Sequence, residues 1–250
     1  MILVLAGTLD GRELAMRLAA SGYDVLVSVV SDYGRSLADA PGITVHTGQL
    51  DLNGLRELIT SRSIKAVVDA SHPYAVNVSL NAMAACAASC AKYIRYERDE
   101  VITPAYDRLY RAGDAAEAAK LAAGLGKVIF LTTGSRTLKI FKTEPLLTGC
   151  RLIARVLPQP DVLAECIALG FSPGDIVAVK GPFSHQLNVA LFTEYAAEVI
   201  VTKNSGTVGG ADTKISAAVE LGLPLVVIGR PDVEYRNLCR TQEAVLALLT

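Results

Sequence analysis

Short apolar runs recur along the chain without polar alternation, and most are followed by a longer segment whose apolar residues fall three and four apart. The first run, Met1–Ala6, reads as a strand covered on both faces. Arg12–Ala20 then carries Leu14, Ala15, Leu18 and Ala19 at helical spacing, and Gly22 stops it in the usual C-terminal place. The same reading predicts strands at Asp24–Val30, Ile43–His46, Ala66–Ala70 and Tyr93–Tyr96, and helices at Leu52–Ser61 and Asn77–Ala91. After a polar stretch, Glu100–Asp107, a second series begins. Its predicted helices are Asp114–Leu125, Arg136–Phe141, Gln159–Leu169, Phe183–Ala197, Ala211–Leu221 and Gln242–Leu249. Its predicted strands are Val128–Thr132, Arg151–Val156, Ile176–Val179, Val199–Thr202 and Leu225–Ile228.

Strand and helix alternating at this pitch predict an α/β chain with parallel sheets and right-handed crossovers. About nine or ten strands exceed one small sheet, and the polar break near residue 105 divides them. The expectation is two Rossmann-like doubly wound domains, residues 1–105 and 106–250, facing each other across a cleft. No solenoid-type repeat or low-complexity segment interrupts the series.

Composition narrows the function. Of the 250 residues, 51% are hydrophobic and 20% charged, which suits a packed core and excludes disorder. The 24 basic and 25 acidic residues give a net charge of −1, which argues against a nucleic-acid binder acting through phosphates. No apolar stretch approaches the length of a membrane span, and the N-terminus reads as a strand, not a signal peptide, so a cytoplasmic protein is expected. Only three histidines are present, which argues against a His-rich metal site, and the five cysteines are an odd number. Cys86 and Cys90, one helical turn apart in an Ala-rich run, read as core residues, with no further ligand nearby.

Open α/β sheets bind ligands beyond the carboxyl ends of their strands, so the loops there hold the candidate chemistry. In AGTLDGR, Gly7 allows close backbone approach, Thr8 offers a hydroxyl, and a helix starting near Gly11 points free N–H groups at an anion. This is not G-x-G-x-x-G, and a simple turn accounts for one glycine equally well. In SDYGR, Ser31 and Arg35 suit the extra phosphate of NADP, whereas Asp32 suits ribose hydroxyls; a solvated charged loop is the alternative. SHPYA follows the fourth strand, where a nicotinamide ring would lie. There His72 is a candidate proton donor, Tyr74 a stacking or donor group, and Pro73 fixes the loop. A satisfied structural histidine is the competing reading.

The later strands open into TTGSR, VKGPFS and TKNSGTVGG, which combine hydroxyls, glycines and one cation each, as carboxylates or phosphates require. Lys203 and Lys214 frame the last of these, and Arg95 and Arg98 add cations after the fifth strand. Cations gathered on strand-end loops of a neutral chain suggest a small anionic ligand; ordinary surface cations are the plainer explanation.

Taken together, these blocks resemble the precorrin-6A reductases of cobalamin biosynthesis, including the cobalt-precorrin members. The likeness runs through G-T-x-(E/D)-x-R-E-L at Gly7–Leu14, G-R at Gly34 and Arg35, and D-A-(T/S)-H-P-(F/Y)-A at Asp69–Ala75. It continues through Arg95 and Arg98, T-T-G at Thr132–Gly134, G-P-F-S at Gly181–Ser184 with Asn188, K-x-S-G-x-x-G-G at Lys203–Gly210, and Arg230–Pro231. Ala6 stands where a second glycine is common, and Thr213 where an acidic residue is usual.

The resemblance implies NADPH-dependent reduction of one double bond of a polycarboxylate tetrapyrrole, on two Rossmann-like domains. It implies cofactor contacts from Gly7, Thr8, Gly11, Arg12, Ser31, Gly34, Arg35, Ser71 and Pro73, with His72 and Tyr74 near the chemistry. It implies substrate contacts from Arg95, Arg98, Thr133, Gly134, Arg136, Lys203, Ser205, Gly206 and Lys214, and transient contact with neighbouring pathway enzymes. Two rivals are a nicotinamide-dependent reductase or epimerase of another anionic metabolite, and a non-catalytic nucleotide sensor on the same fold. Turnover with each candidate substrate separates the three.

Overall fold

The computed structural model describes residues 1–206 and 209–250. The first half alternates β1 (Ile2–Leu5), α1 (Leu9–Ala20), β2 (Val25–Val29), α2 (Asp32–Ala38), β3 (Ile43–Thr47), α3 (Leu52–Ser61), β4 (Ala66–Asp69), α4 (Val76–Ser89) and β5 (Lys92–Tyr96). The second half runs β6 (Leu109–Ala112), α5 (Ala115–Ala123), β7 (Val128–Leu131), α6 (Leu138–Thr143), β8 (Arg151–Val156), α7 (Pro160–Ala168), β9 (Ile176–Ala178), α8 (His185–Glu194), β10 (Val199–Lys203), α9 (Ala211–Glu220), β11 (Leu225–Ile228), β12 (Leu238–Cys239) and α10 (Gln242–Leu249).

The strands form two six-stranded sheets, ordered β12-β5-β4-β1-β2-β3 and β6-β11-β10-β7-β8-β9. Every strand pair in both is parallel. The lack of polar alternation in the strands now has its cause. Val4, Val27, Val68 and Ile94 pack under α1 and α10 with Leu14, Leu18 and Val245, whereas Leu3, Leu26 and Val67 pack under α3 and α4 with Leu55, Ile59 and Ala82. Both faces are dry, and each fully buried Leu or Val contributes roughly 1.5–3 kcal/mol. In the second sheet Phe130, Ile153, Ile200 and Val227 are covered by Phe192 of α8 and by Ile215 and Ala218 of α9.

Helix starts are set by side-chain caps. Thr8, Ser31, Asp51, Asp114, Ser184 and Thr241 each accept a backbone N–H from the first turn that follows, each worth about 1 kcal/mol. Ser184 in that role moves the start of α8 to His185, two residues after the expected Phe183.

Two compact units result, and their limits differ from the expected 1–105 and 106–250. One comprises Met1–Asp99 together with Asp232–Thr250, and the other Glu100–Pro231. The C-terminal segment belongs to the first sheet: Leu238 and Cys239 of β12 pair with Arg95 and Tyr96 of β5, and α10 buries Val245 in the first core. The strands number twelve among the described residues, above the expected nine or ten, because β6 and the two-residue β12 carry too short an apolar run to show a period.

Candidate functional site

Each sheet has one point where successive connections leave in opposite directions. In the first sheet it lies between β1 and β4, and in the second between β7 and β10. A crevice forms at such a point because the two flanking loops part to opposite faces. The expected loops fall there. AGTLDGR follows β1 and SHPYA follows β4; TTGSR follows β7 and TKNSG follows β10.

In the first unit the loop after β1 is built to bring backbone close to a ligand. Gly7 has open space where a side chain would stand, with nothing within 4 Å of its Cβ position. Gly11 has the opposite environment: a Cβ there would meet the Ala70 carbonyl oxygen at 3.0 Å and the Ala6 Cα at 3.2 Å. The N-terminus of α1 is thereby seated directly against the end of β4. Thr8 caps that helix, accepting from the Gly11 N–H at 3.3 Å and donating to the Ala70 carbonyl at 3.2 Å. Its hydroxyl holds the loop in shape. Asp10, in the first turn, is 7% exposed and ion-paired to Arg98, while its Oδ1 has no hydrogen-bond partner. Arg12 is half-buried in the same turn and makes no ion pair among the described residues.

SDYGR, expected as a loop, is the first turn of α2. Ser31 is its cap, accepting from the Gly34 N–H at 3.1 Å, and Gly34 fits because a Cβ there would stand 3.1 Å from Val29. Arg35 projects from this helix, exposed and without an ion pair among the described residues. In SHPYA, Pro73 is buried, His72 and Tyr74 are half-buried, and their rings lie 5.6 Å apart. The His72 Nδ1 accepts the Tyr74 N–H at 3.3 Å, so any proton the neutral ring donates is carried on Nε2.

Ser71 and Arg95 have an inward role. The Arg95 side chain is 0% exposed. It meets Asp69 Oδ1 at 3.0 Å and Glu97 Oε2 at 2.7 Å, and donates to the Ser71 hydroxyl at 3.2 Å. Tyr93 donates to Asp69 at 2.7 Å, and Tyr235, from the returning C-terminal segment, places its ring 4.8 Å from the guanidinium. Burial alone would depress the Arg95 pKa, but Asp69 and Glu97 more than reverse it, so it is raised. Burial, and then Asp69, raise that of Tyr93. Arg95 was expected among the substrate anchors; it is instead a core cation whose donors are taken by its own unit.

The second unit gathers several cations at and near the ends of its strands. Gly134 (φ 79°) and Gly206 (φ 80°) turn the loops after β7 and β10 through conformations that favour glycine. Thr133 is buried and accepts from the Thr137 hydroxyl at 2.8 Å, and Ser205 is buried beside Asn204. Arg136 is exposed in the turn after β7. Burial, with the Arg136 charge, lowers Lys203 to about 8. Burial, with the Arg155 and Lys203 charges, lowers Lys214 to about 7. Arg155 itself, on β8, is pushed down to about 10 by burial. It donates to Asn188 of α8 at 2.8 Å, and the Phe183 ring lies 4.4 Å away. Asn188 in turn donates to the Thr213 hydroxyl at 3.3 Å, fixing the start of α9. Arg155 was missed from sequence, although an arginine inside the apolar run RLIARV was the available signal. Thr207 and Val208 of the TKNSGTVGG block lie outside the described residues.

No group of three or more His, Cys, Asp or Glu side chains among the described residues is placed to hold a metal. Burial, and then Asp69, push the Cys86 thiol up to about 12. No helix of the described residues is long and apolar enough to cross a membrane.

Comparison with known proteins gives the family and the fold. The family model "Precorrin-6x reductase CbiJ/CobK" matches residues 1–250. The cobalt-precorrin-6A reductase of Priestia megaterium is 43% identical over 252 aligned positions, covering 100% of this chain and 98% of the relative. The precorrin-6A reductase of Rhodobacter capsulatus is 32% identical, covering 99% and 95%. A solved structure titled "CobK precorrin-6A reductase" superposes with a TM-score of 0.81 at 31% identity, covering 99% of this chain and 95% of that one.

Proposed function

This chain belongs to the precorrin-6x reductase family, and we propose that it reduces one double bond of precorrin-6A or cobalt-precorrin-6A, with NADPH as reductant, in cobalamin biosynthesis. The observation that carries the reading is the division of charge between the two switch points. In the first unit the cations nearest the SHPYA loop and Asp10 are neutralised by carboxylates, while Gly7, the α1 N-terminus, Arg12 and Arg35 stay available. In the second, the charges of Arg155 and Lys203 act on Lys214 and that of Arg136 on Lys203, with the exposed Asp212 the acid that acts on Lys214.

The first set suits a phosphorylated dinucleotide. Helix N–H groups and the helix dipole attract the pyrophosphate, and Arg35, in the helix α2 that follows β2, suits the extra phosphate of NADPH. Orphaned Asp10 Oδ1 adds an acceptor for a hydroxyl donor at the same turn. Bound there, NADPH would supply the hydride. The second set suits a polycarboxylate. Arg136, Lys203 and Lys214, joined by Arg155, offset the cost of taking carboxylates out of water, which unpaired would be prohibitive.

Reduction of a conjugated bond also needs a proton on the neighbouring carbon. His72 is proposed as its source through Nε2, with Tyr74 beside it and Pro73 holding the loop. The reading is tested by anaerobic incubation with NADPH and precorrin-6A, with and without cobalt. A mass gain of two hydrogens, with matching NADPH oxidation, is expected. Tight NADPH binding without turnover of either substrate overturns it in favour of a sensor.

A further inference from the structure

Lys214 is 7% exposed, in the first turn of α9, and has no hydrogen-bond or ion-pair partner among the described residues. Burying an ammonium this way is costly, and its neighbours add to the cost instead of relieving it. The charges of Arg155, on β8, and of Lys203, at the end of β10, both act on it. Helix α8, packed against α9, contributes the uncharged Asn188, which is spent on Arg155 and Thr213. Among the described residues, the one acid that acts on Lys214 is Asp212, two positions away on its own helix and exposed to solvent. Arg155 cannot give up its proton at neutral pH, so a lysine amine is the group that yields. Of the two lysines, Lys214 is the more buried and the more depressed.

We propose that Lys214 is the proton-uptake site of ligand binding: part of the free protein carries it as a neutral amine, and an anionic group docking beside it and Arg155 draws a proton onto it. The proposal rests on the reading above that carboxylates of the substrate meet this cation cluster. A docked carboxylate supplies the missing counter-charge, so the ammonium is favoured in the complex and disfavoured without it. The proton comes from solvent, and no bond other than N–H is made. Binding is therefore linked to pH: affinity falls as pH rises above the midpoint of the free amine, up to that of the complex.

The test is calorimetric titration of the NADP⁺-loaded protein, where no turnover occurs, with precorrin-6A in buffers of different ionisation enthalpy. With a free midpoint of about 7, uptake attributable to Lys214 is about 0.5 proton per ligand at pH 7 and about 0.9 at pH 8. Lys214→Arg stays charged at both values, so it should bind the ligand while its uptake drops by those amounts. Should arginine not fit, the NMR titration of selectively labelled Lys214 gives the same quantity in the native chain, as a rise of its midpoint on ligand addition. Uptake equal in wild type and Lys214→Arg, or a midpoint that ligand leaves unmoved, overturns the proposal. If that occurs while Lys214→Met still weakens binding tenfold or more, the anchoring role survives. If Lys214→Met binds precorrin-6A as tightly as wild type, the anchoring role fails for this residue and the proposal fails with it.

Discussion

Replacing Arg95 by methionine separates a core role from a ligand-binding role. The side chain has 0% exposure, and its removal strands Asp69, also 0% exposed, and Glu97, 8% exposed. Breaking a buried ion pair by deleting one partner costs about 3–5 kcal/mol. The lower end applies here, because Asp69 keeps the Tyr93 hydroxyl and the Ser71 N–H, and Glu97 keeps Arg240 at 3.5 Å. A loss of about 3 kcal/mol corresponds to roughly a 150-fold rise in opening. Hydrogen exchange read by mass spectrometry reports this unit by unit: amides of β4 and β5 should exchange roughly a hundredfold faster, whereas those of β7, β8 and β10 stay as protected as before. Adding Asp69→Asn to Arg95→Met removes the stranded charge and should recover at least about 1 kcal/mol. Unchanged exchange in the first sheet together with a tenfold loss of tetrapyrrole affinity would refute the reasoning and restore Arg95 as an anchor.

Gly11→Ala must displace the α1 N-terminus from the Ala70 carbonyl, costing about 1–3 kcal/mol, and should raise the KM for NADPH in steady-state assays; an unchanged KM separates that turn from the cofactor. Arg35→Ala should weaken NADPH by the ~1.5–3 kcal/mol of a hydrogen bond to a charged group while NADH is unaffected, and equal effects on both cofactors reject the assignment. His72→Ala and His72→Gln should each slow single-turnover hydride transfer at least about a hundredfold and remove one limb of the pH profile, whereas a Gln variant near wild-type rate makes His72 a loop-shaping residue. Lys214 has a folded pKa below its unfolded one, so the unfolded chain holds more protons and the ligand-free protein should gain stability as pH rises above about 7, by up to about 1.4 kcal/mol per unit. Denaturant melts that show no such gain, or the same gain in Lys214→Met, contradict the buried, unpartnered amine.

Much of the fold is legible in sequence because parallel strands covered on both faces write themselves as unbroken apolar runs. Val67 and Val68 are neighbours that enter opposite cores, and nothing but a doubly covered sheet makes both apolar. What escapes are elements whose stability comes from partners far away in the chain. β12 is two residues long and exists through pairing with β5, and α2 holds Gly34 near its start where a helix signal should strengthen. The site follows the same division. Strand-end position brought the candidate loops to the switch points, but it could not distinguish Arg95, whose carboxylates arrive at spacings of two and twenty-six, from Lys214, which makes no ion pair among the described residues. Charge type was readable; charge compensation is a property of three dimensions.

The return of Asp232–Thr250 to the first sheet has a bearing on how the chain assembles. Pairing Leu238 with Arg95 closes a loop of about 140 residues, an entropic cost the two-residue strand is poorly equipped to bear. The inserted unit shortens that loop. Its own edge pairs Leu109 with Leu225 and Ala112 with Ile228, so once its sheet exists the two exits of the segment lie on adjacent strands. Only about 20 residues then remain free between the partners, which lowers the closure cost by about 1.7 kcal/mol. Formation of the second sheet thus acts as a splint for the first, and a lesion that slows it should leave the first sheet's edge open to other strands while synthesis or refolding continues.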